Sequence, residues 1–171
     1  MAKHGWSILC SRSIVDSATN QVSLIDAVDQ FEINTPEIDE MLQEALSSGN
    51  QGLLIPAQLT LATWWYRAEK ETPERASARL RMLNPGDQVV VEQPFAVPLE
   101  TSSVHRTFFA VPALKFSGYG RYQFLIEQQL DTESGWLEVA RLPLDVRKNV
   151  NADGAAEPAS PRDPAIPAPT T

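Results

Sequence analysis

The chain has 171 residues, 43% of them hydrophobic and 21% charged, with a formal net charge of −8. That length suits one domain able to bury its own core. The negative balance opposes a phosphate backbone and so argues against a nucleic-acid partner. Cys10 is the single cysteine, so no intramolecular disulfide can form, and a reducing compartment is the better match.

The opening residues Met1, Ala2, Lys3, His4, Gly5 and Trp6 lack the apolar run and small-residue cleavage site of a secretory leader. No apolar stretch approaches the roughly 18 residues a membrane helix needs. The expectation is a cytoplasmic protein with no membrane partner.

Alternating apolar residues separated by turn residues then recur along the chain. Residues 6–15 form a first predicted strand, a polar turn follows at 16–20, and residues 21–33 are read as its hairpin partner. Between 35 and 49 the spacing changes: Ile38, Met41, Leu42, Ala45 and Leu46 share one face of a helix over about 36–47. Thr35 stands as its cap, Pro36 at its first position, acidic Glu37 at its positive end and Gly49 at its stop. We read this helix as a plug over one end of the fold rather than as a partner-binding segment.

Strand patterns resume at 53–68 and 75–83, the latter followed by the turn Asn84-Pro85-Gly86-Asp87. Further strands are predicted at 89–97, 104–116, 121–130 and 136–146, the last two joined by a turn at 131–135. Eight strands without intervening crossover helices predict an all-β fold, a two-sheet antiparallel β-sandwich with one short inserted helix. The domain is expected to span residues 1–148. Residues 149–171 hold five of the 13 prolines and, beyond Val150, the single large apolar side chain Ile166. They read as a disordered Pro/Ala-rich tail.

Two stretches carry a resemblance. Leu9-Cys10 through Val15-Asp16, a turn, and Val22-Ser23-Leu24-Ile25-Asp26-Ala27-Val28-Asp29 form one. Phe116-Ser117-Gly118-Tyr119-Gly120-Arg121-Tyr122-Gln123-Phe124 form the other. Together they resemble a family of small bacterial β-sandwich proteins, domains of unknown function with a C2-like or immunoglobulin-like fold. The resemblance implies that fold over nearly all of residues 1–148 and carries no functional residues with it. Tyr122, two residues after Gly120, also resembles a tyrosine corner, in which a tyrosine hydroxyl pins a strand connection.

No chemical motif stands out. The two histidines, His4 and His105, have no G-x-S-x-G elbow to serve; His4 is expected on a frayed terminus and His105 as an ordinary partly exposed residue. Cys10 reads as a small buried side chain. One cysteine and two distant histidines do not make a zinc site. Asp16, Asp87 and Asp131 fall in separate turns without the D-x-D pairing that calcium loops favour, and no glycine-rich phosphate cradle precedes a helix. Catalytic residues, metal and cofactor are therefore all expected to be none.

The surface is more informative. Alternation along the third predicted strand puts Ile55, Ala57, Leu59, Leu61, Thr63 and Trp65 on one face, and Gln58, Thr60, Ala62, Trp64 and Tyr66 on the other. The first set is the better core, which leaves Trp64 and Tyr66 outside. On the fourth, Ala76, Ala78, Leu80 and Met82 face in, while Arg75, Ser77, Arg79 and Arg81 face out. Pairing of these two strands as a hairpin would set Trp64 and Tyr66 beside Arg79 and Arg81 on one exposed face. Aromatics with arginines are enriched at protein interfaces and also suit stacking on sugars. The leading expectation is a non-enzymatic module that binds another protein or itself through this outer face, with Trp64, Tyr66, Arg79 and Arg81 as its contact residues, or through its end loops. A carbohydrate-binding module using Trp64 and Tyr66 is the alternative, and an enzyme built on distant carboxylates such as Asp26 or Asp29 is a third.

Overall fold

The computed structural model describes residues 2–35, 37–130 and 135–149. Nine strands and one helix follow in order: β1 Lys3–Val15, β2 Val22–Ala27, β3 Gln30–Ile33, α1 Ile38–Ser47, β4 Leu53–Tyr66, β5 Glu74–Leu83, β6 Val89–Leu99, β7 Val104–Phe116, β8 Gly120–Gln129 and β9 Trp136–Lys148. They form two sheets, a four-stranded one in the order β2-β1-β4-β7 and a five-stranded one in the order β3-β9-β8-β5-β6. The fold is a two-sheet β-sandwich. The tail expected over 149–171 lies outside the described residues apart from Asn149, and the turn expected at 131–135 lies outside them apart from Gly135.

The core between the sheets is built by the alternation of the strands. Leu59, Leu61 and Trp65 of β4 meet Ala78, Leu80 and Met82 of β5 and Tyr122, Phe124 and Ile126 of β8. Trp65, Phe116, Tyr122 and Phe124 are the bulkiest fully buried side chains, and burying an aromatic of this size contributes on the order of 2–3 kcal/mol. Thr63 is buried within the same face and accepts a hydrogen bond from the Trp65 indole N–H, so the polar edge of the ring has a partner in the core.

The single strand expected at 21–33 is two. The chain breaks where Asp26 takes a φ of +51°, and the next residues change sheets. Val28 donates to the Leu9 carbonyl of the four-stranded sheet at 2.8 Å, and the Asp29 carbonyl accepts from Asp145 of the five-stranded sheet at 2.8 Å. Beyond this switch β3 pairs with β9 in parallel, from Gln30 opposite Asp145 to Ile33 opposite Lys148. This is a departure from the purely antiparallel sandwich expected. A parallel pair is allowed here because the two strands are far apart in sequence and no short turn joins them.

His4, expected on a frayed end, is instead part of β1, opposite Trp65. Its ring packs edge-on to that indole at 5.0 Å between centroids.

Helix α1 closes one end of the sandwich, burying Ile38, Leu42 and Ala45 and leaving Met41 and Leu46 exposed. The cap position falls at Glu37, without a side-chain cap bond, rather than at Thr35. The C-terminus stops as expected: Gly49 takes a φ of +82°, its N–H reaches the Leu46 carbonyl at 3.1 Å, and that of Asn50 reaches Ala45 at 3.0 Å. This is the paired 5→2 and 6→1 arrangement that a left-handed residue after a helix permits. Asp39 fixes the helix to the sheets by accepting from Tyr119 at 2.9 Å and Lys148 at 2.8 Å.

The connection from β7 to β8 is pinned by Tyr122. Its hydroxyl donates to the Gly118 carbonyl at 2.9 Å and accepts from the Ser117 N–H at 2.9 Å. The tyrosine-corner role expected from sequence is what the geometry shows.

Candidate functional site

The hairpin expected between the third and fourth predicted strands does not form. β4 belongs to the four-stranded sheet and β5 to the five-stranded one, because residues 67–73 carry the chain across the sandwich rather than back along the same sheet. Arg67 holds that crossing, donating to the carbonyls of Leu99 at 2.6 Å, Lys70 at 2.9 Å and Glu100 at 2.8 Å. Trp64 and Tyr66 therefore lie on one outer face of the sandwich, and Arg79 and Arg81 on the opposite one. The side-chain faces are those the alternation predicts, but the two sets share no surface.

On the four-stranded sheet, Trp64 and Tyr66 gain an aromatic neighbour that sequence reading had not placed with them. Trp6 of β1 lies opposite Trp64, and the three rings form a row. Trp6 and Trp64 are 6.4 Å apart between centroids at 21°, and Trp64 and Tyr66 are 5.2 Å apart at 28°. A register shift between His4 and Trp6 turns Trp6 onto this face. Gly5 in the shift has no side chain for a reason: a Cβ there would lie 2.1 Å from Cε3 of Trp64. Glycine beside tryptophan in the opening residues was the readable trace of this close approach.

The row continues into aliphatic surface. Val104 of β7 is opposite Tyr66, and both are more than a third exposed. The β1–β2 ribbon supplies the far side. β1 pairs with β4 only as far as Cys10 but with β2 from Cys10 to Val15, so beyond Cys10 the ribbon leaves the plane of the sheet. It curls over the outer face, where the Asn20 carbonyl accepts from Arg106 at 2.9 Å. Ile14 and Val15 are 47% exposed on that ribbon, and Val15 shares a small cleft with Val104, Arg106 and Phe108. Cys10 and Ala62, which point to this same outer side, are fully buried beneath it. Burial pushes the Cys10 thiol above its ordinary value, and its sulfur sits 3.4 Å from the Thr60 carbonyl, the surroundings of an inert thiol.

The outer face of the five-stranded sheet is of another kind. Arg79 and Arg81 meet Glu127 of β8 at 2.6 and 3.4 Å and Glu92 of β6 at 3.4 and 3.5 Å. Arg141 of β9 pairs with Glu138 at 2.6 Å and also donates to Gln123. Leu125 is buried on this face beneath the lattice, opposite Arg81 on one side and Arg141 on the other. The Arg79 guanidinium also lies 4.3 Å over the ring of Trp136, so the arginine–aromatic contact exists, with a different tryptophan from the one expected. Three guanidinium groups and three carboxylates answer one another, and the stems cover the apolar surface between them.

Asp26 is exposed and accepts from Ser11 at 3.2 Å, while Asp29 lines a lateral cleft of 380 Å³ between β1 and β9, with Arg141 across it. His105 lies inside the end of β7 opposite Trp65, and burial lowers its pKa. Among the described residues no three His, Cys, Asp or Glu side chains gather as a metal site would need, and no helix is long and apolar enough to cross a membrane.

No protein-family model matches the chain, and no curated protein matches it. Among solved structures it is similar to an immunoglobulin-like protein from Pseudomonas aeruginosa, at 9% identity and a TM-score of 0.39, over 86% of this chain and 97% of that one. The sandwich assignment itself stands on the two sheets and their registers described above.

Proposed function

We propose that this protein is a non-enzymatic interaction module whose contact surface is the outer face of the four-stranded sheet, and that a second copy of the chain is the partner it takes. The observation that carries the reading is the row Trp6, Trp64 and Tyr66, continued by exposed Val104 and Val15. Aromatic and aliphatic side chains held on a rigid sheet are what interface cores are made of. The contrast with the other face sharpens the choice. Arg79 and Arg81 are already matched by Glu92 and Glu127, so pairing a partner there would first break internal bonds. They drop out of the proposed surface, and Trp6 replaces them.

A sugar platform on the same rings is less well supported. The rings stand near-parallel to each other within stacking range, so they cover part of the flat faces that a sugar would need.

Sedimentation across a concentration range tests the reading. The intact protein is expected to gain mass with concentration, while Trp64→Ala and Tyr66→Ala remain monomeric with unchanged folds. Intact protein that stays monomeric throughout removes self-association and leaves this face to a foreign partner.

A further inference from the structure

A cleft lies at the end of the sandwich that α1 closes, far from the aromatic row. It encloses 620 Å³, within the range typical of small-molecule sites. Its walls come from three places distant in sequence: Leu46 near the end of α1 with Gln51 beyond it, the turn from Asn84 to Gln88 with Val89 and Val90 of β6, and Ser117 and Tyr119 between β7 and β8.

Each wall is fixed by bonds of its own. The Asn84 side-chain oxygen accepts from Gly86 at 3.0 Å and Gln88 at 2.9 Å, closing the turn on itself. Tyr122 holds Ser117 and Gly118 from behind. The Tyr119 hydroxyl is bound to Asp39 on the helix, and Lys115 donates to the side-chain amide oxygen of Gln51 at 3.0 Å. A ligand entering here would find the walls already in place, so little ordering cost would be subtracted from its affinity.

The chemistry of the lining is selective. None of its residues is Asp, Glu, Lys, Arg or His, in a chain of net charge −8 with 21% charged residues. Amides and hydroxyls supply the polarity. Gln51 and Gln88 keep side-chain N–H donors turned to solvent after their oxygens are engaged. Leu46, Pro85, Val89 and Val90 with the Tyr119 ring give apolar surface between them. Neutral polar groups around an aromatic ring suit a ligand that is itself uncharged, with many hydroxyls on one edge and C–H faces on the other. From this geometry we infer that the end cleft is a binding site for a neutral carbohydrate of one or two sugar units, with Gln51 and Gln88 as donors and Tyr119 as the ring against which the sugar lies. The site is separate from the association face and does not depend on it.

Titration of the full chain with cellobiose, maltose and diacetylchitobiose, followed by NMR of the side-chain and backbone amides of the cleft, tests it. The Gln51 and Gln88 signals are expected to move saturably with at least one of these sugars and not with glucuronate, whose charge has no counterpart in the cleft. Gln51→Ala and Gln88→Ala, both at exposed positions, should each weaken binding by about 2- to 10-fold, the loss of one uncharged hydrogen bond. Trp64→Ala should bind as the intact protein does. No saturable movement with any of the three sugars overturns the inference. So does movement of the Gly86, Gly118 and Tyr119 backbone signals that persists undiminished in the double glutamine variant, or movement that Trp64→Ala abolishes.

Discussion

The hydroxyl of fully buried Tyr122 makes two bonds at 2.9 Å to the half-buried Ser117–Gly118 connection, which sets what its removal should cost. Tyr122→Phe keeps the ring and its packing but strands the Ser117 N–H and the Gly118 carbonyl. A buried group left without its partner costs about 1–3 kcal/mol, so urea unfolding should shift by that amount with an unchanged slope. A stability equal to that of the intact protein would show that water reaches this connection and replaces the hydroxyl. The two histidines give a second expectation at this scale. Burial lowers the pKa of His4, partly offset by a backbone bond at Trp6, and burial lowers that of His105. In the unfolded chain both return to about 6.5. Below that value the unfolded state binds more protons, so stability is whole above it and is lost as pH falls through it towards the lower folded values. The paired carboxylates Asp39, Asp145 and Glu138 have lowered folded values as well. Their contribution is present above the ordinary carboxylate range and is lost only at more acid pH. Urea midpoints should therefore fall between pH 7.5 and 5.5, and His4→Gln with His105→Gln should flatten that slope.

Individual strands were legible because alternation is a local property of the pleat. The face assignments for β4 and β5 follow from it: Leu61, Thr63 and Trp65 are buried while Tyr66 is exposed, and Ala78 and Leu80 are buried while Arg75 and Ser77 are exposed. Which strand lies beside which is not local. Nothing in the alternation of residues 53–66 says that residues 67–73 cross to the other sheet, so the aromatics and arginines were placed on one surface and belong on two. The sheet change at Val28 and Asp29 was hidden for the same reason, since β2 and β3 together read as one apolar run. The correction changes what the arginines are for. Glu127, 8% exposed between Arg79 and Arg81, anchors the charge lattice over Leu125. Glu127→Ala should cost about 2 kcal/mol by leaving two half-buried guanidinium groups short of an acceptor. Glu92→Ala, at the exposed rim, should cost roughly 0.5 kcal/mol or less. Equal losses for the two would mean that the lattice is held by summed surface charge rather than by the central carboxylate.

At the scale of the molecule, a sandwich must stop its own sheets from recruiting others, and the prolines show how this one does so. Five of them lie within described strands: Pro56, Pro94, Pro98, Pro112 and Pro143, all exposed. Each stands where its strand has a neighbour on one side only. β6 and β7 are outermost at one edge of each sheet, β3 and β2 at the other. Pro56 of β4 lies beyond Thr60, where the ladder with β1 ends, and Pro143 of β9 lies before the β3 pairing that begins at Asp145. Proline brings no N–H to an open edge, so a second strand finds gaps in the ladder it would build. Pro94 and Pro98 are four residues apart in β6, opposite Arg79 and Arg75, and so share one edge-facing orientation. These blocks guard the β6 and β7 edges, while the opposite edges, β2 and β3, carry no proline and offer only six and four residues to a second strand. Pro94→Thr with Pro98→Thr restores two donors to the β6 edge while keeping a strand-forming residue at each position. The double variant should fold to the same sandwich yet scatter light increasingly with time and concentration. Adding Trp64→Ala should not suppress that growth, because it proceeds through an edge and not through the face. If the double variant stays as clear as the intact protein, the charges along β5 and β6 protect that edge and the prolines there are dispensable.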